Sequence, residues 1–195
     1  MNGYKVSVVK LDNPTILEQA DDIIRDGGVI IYPTDTLYGF GVDARNDAAV
    51  ERLSTIKSRQ GPWSIAVSNM EMLVQYTDIP EIHRRKVKET LPGPVTLILP
   101  ASDSEISSSI ISDHHSIGIR IPDHPFPISL IQRLGFPITS TSVNRTGMPA
   151  LNDPREIKRE FDDEFNLLID AGLLPKSKGS TIINLIGKTM QIVRD

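Results

Sequence analysis

The chain has 195 residues, of which 39% are apolar and 24% are charged, and its formal net charge is −4 at pH 7. This composition is typical of a globular protein, and no apolar run approaches the roughly 20 residues of a membrane-spanning helix, so a disordered chain and a membrane protein are excluded. The absence of cysteine excludes disulfides, zinc–thiolate sites and cysteine nucleophiles. We expect a single domain over residues 1–195, located in the cytoplasm.

The histidines and the overall charge limit two further classes of function. His83, His114, His115 and His124 lack the spacing of a metalloenzyme motif such as H-E-x-x-H, so we predict no metal site. Because the net charge is negative, a polyanion would have to be bound by a local cluster of Lys and Arg residues. The basic segment 83–88 lacks the interleaved aromatic residues of a nucleic-acid-binding surface, and we interpret it as a solvated helix face.

Helices and strands are mixed in the first half of the chain. Asn13 caps a helix that ends at Gly27-Gly28, and a strand follows over residues 29–32. Asp47 caps a second helix, which runs into Lys57. The next predicted elements are a strand over residues 63–67, a short helix over 69–76, a charged helix over 80–90 and a strand over 95–99.

The second half of the chain is richer in strands. Residues 102–112 are rich in serine and are predicted to form a loop or an irregular helix. The remaining elements are a strand over 116–121, a helix over 125–134, a strand over 137–142, a helix over 154–161 capped by Asp153, and strands over 167–170, 180–186 and 189–194. Because the alternation is irregular, the pattern predicts an α/β domain around one large, twisted, mixed β-sheet flanked by helices.

Residues 32–41, with the sequence YPTDTLYGFG, have the composition of a binding loop. Pro33 ends the preceding strand, so the hydroxyl groups of Thr34 and Thr36 are expected at the tip of that strand. Gly39 and Gly41 would let the backbone turn sharply and approach a ligand closely. A purely structural turn is the alternative interpretation.

A nucleotide, if one is bound, must be held without the two common glycine-rich phosphate loops, since neither motif occurs in the sequence. Lys57 and Arg59, at the end of a predicted helix, could clamp phosphate oxygens, or they could form a solvated helix end favoured by the helix dipole. The hydroxyl-rich segment 139–144 suits a polar or phosphate-bearing ligand, with a polar turn as the alternative.

Arg120 lies on a predicted strand that is otherwise apolar. A buried, unpaired guanidinium group costs several kcal/mol, so an anion should meet it. That anion could be the carboxylate of a ligand, or the side chain of Asp35 or Asp123.

Six segments, taken in order, resemble motifs of the YrdC/TsaC family. They are residues 32–41, Lys57-x-Arg59, residues 91–96 (LPGPVT), residues 116–125 (SIGIRIPDHP), residues 140–144 (STSVN) and residues 179–181 (GST). The resemblance implies a YrdC-like α/β fold with an open cavity over a twisted sheet. It also implies a nucleotidyltransferase, threonylcarbamoyl-AMP synthase, of the short single-domain form. Such an enzyme converts L-threonine, bicarbonate and ATP into threonylcarbamoyl-AMP and pyrophosphate, for N6-threonylcarbamoyladenosine modification of tRNA.

The resemblance also implies roles for individual residues. Catalysis would depend on Lys57 and Arg59. L-Threonine would be bound by Thr34, Thr36, Ser68, Arg120, Ser140 and Ser180. ATP would be bound by Lys57, Arg59, Trp63, Ser116, Ser142, Asn144 and Arg194. Mg²⁺ would accompany ATP, no tightly bound cofactor is implied, and separate proteins of the tRNA threonylcarbamoyl-transfer machinery would be the partners.

The segment 60–68 departs from the family pattern, since it reads QGPWSIAVS where relatives usually have Asn/Lys-Pro-Leu followed by His. Trp63 and Ser68 occupy the altered positions, and Trp63 could stack on adenine or fill the core. The altered segment keeps open a divergent paralogue that acts on another small acceptor. The resemblance leaves a second alternative, an RNA-binding or ribosome-maturation factor with weak RNA binding.

Overall fold

The computed structural model describes residues 6–195, and the strands in this part of the chain form two mixed β-sheets. The strands are β1 Ser7–Lys10, β2 Ile30–Pro33, β3 Tyr38–Gly41, β4 Ile65–Ala66, β5 Val95–Pro100, β6 Ser116–Arg120, β7 Ile138–Thr139, β8 Thr141–Ser142, β9 Leu167–Asp170, β10 Thr181–Asn184 and β11 Gln191–Arg194. The order is β1-β9-β2-β3-β8 in the five-stranded sheet and β11-β10-β5-β6-β4-β7 in the six-stranded sheet. The predicted α/β class is confirmed, but the strands are divided between two sheets.

The helices of the described residues are α1 Ile16–Arg25, α2 Asp47–Lys57, α3 Met70–Tyr76, a 3₁₀ turn Glu81–His83, α4 Arg84–Thr90, α5 Pro125–Leu134 and α6 Pro154–Phe161. Asn46 and Asn69 cap α2 and α3 by accepting backbone amides, and Asp153 caps α6 as predicted. The cap of α2 is therefore Asn46 and not Asp47, while α1 begins beyond Asn13. Within residues 6–195, none of the helices has both the length and the apolar character needed to cross a membrane.

The segment predicted as one strand over residues 137–142 passes from one sheet to the other. Strand β7 pairs with β4 in the six-stranded sheet, whereas β8 pairs with β3 in the five-stranded sheet. Between these strands, the Ser140 amide donates to the Ser64 carbonyl group at 2.7 Å. The segment therefore joins the two sheets and carries polar side chains between them.

Both strands of the β2–β3 hairpin are buried, and helices pack against them. Helices α1 and α5 pack against each other and against β2. On the next strand, the ring of Phe40 meets the ring of Phe161 from α6 edge to face, with 5.2 Å between the ring centroids. Close packing of this kind holds the hairpin in one position.

Strands β1 and β3 were not predicted. β3 contains Gly39 and Gly41, and glycine is unfavourable in strand interiors. A Cβ atom on Gly41 would lie 2.9 Å from Cε1 of Tyr32, so this glycine makes room for the tyrosine ring. The predicted helix over 80–90 is divided into the 3₁₀ turn and α4, and the predicted strands over 63–67, 180–186 and 189–194 are shorter than expected.

The start of β2 provides a test of the packing. In Gly28→Ala, the new Cβ atom would lie 2.5 Å from Cγ2 and 2.8 Å from the carbonyl oxygen of Ile23. We expect this variant to lose about 1–3 kcal/mol of unfolding free energy in urea titrations, because the added methyl group overpacks the junction with α1. Gly187→Ala is the control, since no atom lies within 4 Å of its Cβ position. Equal stability of the two variants would contradict the expectation.

Candidate active site

A cavity of about 630 Å³ lies between the two sheets. Its wall includes the β2–β3 turn and the crossing segment around Ser140 on one side. The other side is formed by Thr96 of β5, Arg120 of β6, Ile182 of β10 and Arg194 of β11. The cavity thus collects residues that are distant in the sequence, including most of the predicted site residues.

The predicted binding loop is both a tight turn and a wall of the cavity. Thr34 Oγ1 accepts the amides of Thr36 and Leu37, at 3.1 and 3.2 Å, and donates to the Leu37 carbonyl group at 2.7 Å. Its hydroxyl group is therefore used within the turn. The Thr36 hydroxyl lies 3.1 Å from Thr34 Oγ1, and both residues line the cavity. Of the two threonines, Thr36 has more hydrogen-bonding capacity left for a ligand.

Arg120 stands at the end of β6 with its side chain 5% exposed, and it meets Asp35 in a buried ion pair. Its Nη1 donates to Thr36 Oγ1 at 3.3 Å, and its Nε is buried without a hydrogen-bond partner in the described residues. Asp35, and not Asp123, is therefore the protein carboxylate that pairs with it. Because Arg120 also lines the cavity, a ligand carboxylate could approach the same guanidinium group.

Lys57 does not line the cavity in this conformation. Direct contact with a triphosphate, which the resemblance implies, would require it to do so. The side chain is buried, and its ammonium group donates to the carbonyl oxygens of Ser142 and Asn144 and to Asn144 Oδ1, each at 2.8 Å. Burial, with a smaller effect of the Arg59 charge, lowers the pKa of Lys57 from 10.5 to about 8. The segment with Ser142 and Asn144 lines the cavity, and Lys57 holds this segment from the side that faces away from the cavity.

The two residues that Lys57 contacts, Ser142 and Asn144, were themselves predicted to bind ATP, and they lie at the cavity wall. Ser142 and Asn144 both line it, and the Ser142 hydroxyl donates to Asn144 Oδ1 at 2.8 Å. Asn144 Nδ2 donates to the carbonyl groups of Arg145 and Met148, at 2.9 and 2.7 Å. The side chain of Asn144 is therefore saturated by the protein in this conformation.

Arg59 lines the cavity and is exposed. Its guanidinium carbon lies 4.5 Å from the ring centroid of Trp63. Trp63 is buried, lines the wall beside Arg59 and donates its indole Nε1–H to Ser54 Oγ at 3.1 Å. The sole tryptophan of the chain is thus a buried packing residue with one face toward the cavity.

The two predicted C-terminal residues lie together on the six-stranded sheet. Ser180 Oγ is 2.8 Å from Thr96 Oγ1, and Arg194 donates to the Ser180 carbonyl group at 2.7 Å through Nη2. Lys178 lines the same side of the cavity. Thr96 and Lys178 were not selected as site residues, although Thr96 belongs to the motif-like segment 91–96 and Lys178 directly precedes the segment 179–181, and this proximity in the sequence was the available signal.

Besides Lys57, two predicted residues lie outside the cavity wall. Ser68 is buried, and its hydroxyl group has no hydrogen-bond partner within residues 6–195. Ser116 is at the opposite end of β6 from Arg120, with its hydroxyl 2.7 Å from that of Ser112. Ser112 lines a second cavity of about 350 Å³, which shares Pro62 with the first. Ser116 is therefore beside an extension of the site.

The larger cavity has a positive lining in a chain of negative net charge. Arg59, Arg120, Lys178 and Arg194 line it, and none of the described lining residues is Asp or Glu. Hydroxyl groups supply most of the other polar atoms. The arrangement suits an anionic ligand with several oxygen atoms.

The comparisons with known proteins agree with this architecture. The Sua5/YciO/YrdC family model, which carries the description "Telomere recombination", matches residues 22–195. The chain belongs to this family. It is 33% identical over 183 residues to the threonylcarbamoyl-AMP synthase of Vibrio campbellii, and the matched region covers 91% of this chain and 97% of that protein. It is 32% identical over 191 residues to YciO of Escherichia coli, an uncharacterised protein, over 94% of this chain and 91% of YciO.

Two solved structures of the Sua5/YciO/YrdC family superpose on nearly the whole chain. The structure of P. abyssi Sua5 complexed with L-threonine has a TM-score of 0.89 at 27% identity and covers 97% of this chain. The structure of E. coli YciO has a TM-score of 0.88 at 30% identity and covers 98% of this chain and 95% of YciO. The chain spans 57% of that Sua5 chain and 51% of the Bacillus subtilis threonylcarbamoyl-AMP synthase that it matches.

The ion pair of Arg120 gives a prediction about stability. Asp35→Ala leaves a guanidinium group buried without its carboxylate, and we expect a loss of about 3–5 kcal/mol in unfolding free energy. Asp35→Ala combined with Arg120→Leu should lose clearly less than the sum of the two single variants, because neither charge is then left alone. Urea unfolding of the four proteins measures this coupling. If the loss in the double variant equals the sum of the losses in the two single variants, the ion pair contributes nothing to stability.

Lys57 gives a second prediction, because its pKa is lowered in the folded state. Lys57→Met removes the partner of two buried carbonyl groups, so the variant should be less stable by about 2 kcal/mol at pH 7. Between pH 8 and 10.5 the unfolded wild-type chain binds more protons at this lysine than the folded chain does, so wild-type stability rises relative to the variant.

Urea titrations at pH 7 and pH 9.5 measure the expected widening of this difference. Lys178→Met, at an exposed lysine, is the control and should show no such change. A constant difference between wild type and Lys57→Met at the two pH values would contradict the lowered pKa.

Proposed function

We propose that this protein is a threonylcarbamoyl-AMP synthase, which converts L-threonine, bicarbonate and ATP into threonylcarbamoyl-AMP and pyrophosphate. The observation that carries the proposal is one cavity in which a buried arginine with adjacent hydroxyl groups faces a second group of cations. The names of the relatives and the threonine-bound Sua5 structure support it. A nucleotidyltransferase of this kind must bring two anions together, so separate cationic regions are what it needs.

The amino-acid substrate is assigned to the Arg120 end of the cavity. Nη1 of Arg120 has only a 3.3 Å contact with Thr36, so it can bind a carboxylate without breaking a strong hydrogen bond. Thr36, Ser140 and Ser180 would hold the rest of the amino acid, with Thr34 fixing the turn. Ser68 follows Val67, whose backbone amide donates to the Arg120 carbonyl group, but Ser68 itself does not line the cavity.

The nucleotide is assigned to the part of the cavity next to Arg59 and the crossing segment, and it meets the amino-acid site at Ser180, whose carbonyl group accepts from Arg194. Arg59, Lys178 and Arg194 would engage the triphosphate, and Ser142 and Asn144 would line its path. Ser116 would act at the second cavity through Ser112, where the nucleoside could extend past Pro62. Since none of the residues 6–195 that line the main cavity carries a carboxylate, Mg²⁺ would enter as part of the MgATP substrate and be held chiefly by phosphate oxygens.

The proposed chemistry is a displacement at phosphorus. The threonine amine and bicarbonate condense to a carbamate with loss of water. A carbamate oxygen then attacks the α-phosphorus of ATP, and the bond to pyrophosphate breaks. No covalent intermediate with the protein is needed, so catalysis consists of alignment and charge stabilisation by Arg59 and its neighbours. Lys57 would contribute by holding Ser142 and Asn144 in place.

The product would serve tRNA modification in the cytoplasm through separate transfer proteins. Direct RNA binding has less support, because Arg84 and Arg85 of α4 pair with Glu81 and Glu89. A second candidate is the same chemistry on another small acceptor. It is favoured by the end-to-end similarity to YciO and by the altered segment 60–68.

Pyrophosphate release tests the proposal. With ATP, Mg²⁺ and bicarbonate, we expect release that requires L-threonine and exceeds that with L-serine or L-alanine. Arg120→Ala and Arg59→Ala should each lower kcat/KM by about 10²- to 10³-fold, because each removes a charge-assisted contact to the reacting groups. Arg52→Ala, an exposed arginine on α2, is the matched control. Release that is independent of the amino acid would refute the proposal, and a preference for another acceptor would support the second candidate.

A further inference from the structure

The three arginines that line the cavity are held in different ways. Arg120 pairs with Asp35, and Arg194 donates to the Ser180 carbonyl group. The guanidinium group of Arg59 makes neither a hydrogen bond nor an ion pair within residues 6–195, and its contact is with the Trp63 ring. Of the three, Arg59 alone has all of its N–H donors available in the described structure.

Ser54 fixes both members of the Arg59–Trp63 contact. Its carbonyl oxygen accepts the Arg59 amide at 3.1 Å, and its hydroxyl accepts the indole N–H of Trp63 at 3.1 Å. Ser54 is itself 2% exposed, and its hydroxyl donates to the Val50 carbonyl group one turn earlier in α2. The backbone of Arg59 and the ring plane of Trp63 are thus set by the same buried serine.

An aromatic face suits an arginine that must bind an anion. A carboxylate partner would hold the guanidinium group but would also occupy its donors and neutralise its charge. The π-face of an indole attracts the cation from one side and leaves the N–H groups at the ring edge of the guanidinium free. The nearby charge of Lys57 opposes this placement, so an unsupported Arg59 side chain would turn toward solvent.

We propose that Trp63 is a positioning residue, which holds the Arg59 guanidinium group at the cavity wall with its donors free for phosphate oxygens. The indole acts through Arg59 and does not itself need to touch the nucleotide. This rests on the proposed function in one respect, that the anion at Arg59 is the phosphate chain of ATP. The proposal gives the altered segment 60–68 a role, since Trp63 lies in the part of the chain where relatives usually have Asn/Lys-Pro-Leu.

The chain contains a single tryptophan, so its fluorescence reports on this site without labelling. The probes are ATP and inorganic tripolyphosphate. We expect both to change the emission of wild-type protein saturably, because an anion that binds Arg59 alters the cation over the ring. Arg59→Ala should remove the response to tripolyphosphate, and Arg52→Ala should keep it. A response that survives in Arg59→Ala would overturn the coupling.

Steady-state kinetics test the positioning role itself. Trp63→Leu should raise the KM for ATP about fivefold, the equivalent of one cation–π contact, with the KM for threonine unchanged. Trp63→Phe keeps an aromatic face and should recover part of the loss, and Ser54→Ala should give a smaller rise. In an Arg59→Ala background, Trp63→Leu should have no further effect. An equal effect in both backgrounds would overturn the proposal.

Two outcomes separate this inference from the proposed function. If Arg59→Ala weakens ATP binding in calorimetry while Trp63→Leu, Trp63→Phe and Ser54→Ala all behave like wild type, the positioning role is refuted and the proposed function stands. If ATP leaves wild-type fluorescence and calorimetric heat unchanged, both are refuted. Trp63→Phe and Ser54→Ala also guard against a folding defect in Trp63→Leu, because each removes less volume from the core.

Discussion

The buried ammonium group of Lys57 is the contact on which the shape of the cavity depends. Lys57 is the last residue of α2, and the three hydrogen bonds of its ammonium group reach the segment that crosses between the sheets. Two further bonds tie the same parts together, since Arg145 donates to the Ile56 carbonyl group and Thr146 donates to that of Lys57. This connection fixes the segment that follows the crossing, which forms part of one wall of the cavity, against the end of α2.

The three arginines that line the cavity differ in the free-energy cost of keeping their positive charge there. Burying Arg120 would be unfavourable without Asp35, and pairing reduces the charge that a ligand can use. Arg194 is held by a neutral carbonyl group and so keeps its full charge. Arg59 is exposed and packs on an aromatic ring, so it avoids most of the desolvation cost. The cavity thus combines one rigid, half-neutralised cation, Arg120, with the more available cations Arg59 and Arg194.

The sequence was sufficient for the α/β class, and most of the site residues that it predicted do lie in the cavity wall, because the motifs lie at the ends of strands with strong apolar patterns. It was not sufficient for the number of sheets. Strands β7 and β8 have two residues each, and one residue between them changes the sheet, which leaves no trace in a period-two pattern. Gly39 and Gly41 obscured β3 for a similar reason, since the demand for glycine comes from the Tyr32 ring on the neighbouring strand.

The placement of Lys57 could not be predicted either. Lys57 and Arg59 have the same charge and are two residues apart, so the sequence suggested one common role. Ser58 between them adopts a left-handed conformation with φ of 49° and ends the helix. This conformation turns the chain, so that Lys57 belongs to the buried face of α2 and Arg59 to the cavity wall. A backbone reversal at a single serine is not encoded in any periodic pattern.

The altered segment 60–68 changes the two ends of the cavity unequally. Trp63 and Ser64 line the wall beside Arg59, and a Cβ atom on Gly118 would lie 2.6 Å from Ser64 Oγ, so this part is tightly packed. At the Arg120 end, the guanidinium group, Thr36 and Ser180 all remain, and the altered residue is Ser68 with its unused hydroxyl. Under the proposed function, recognition of a carboxylate is therefore retained. Ser68 does not line the cavity, so a difference in substrate between this chain and its synthase relatives would arise at Trp63 and Ser64, which do line it.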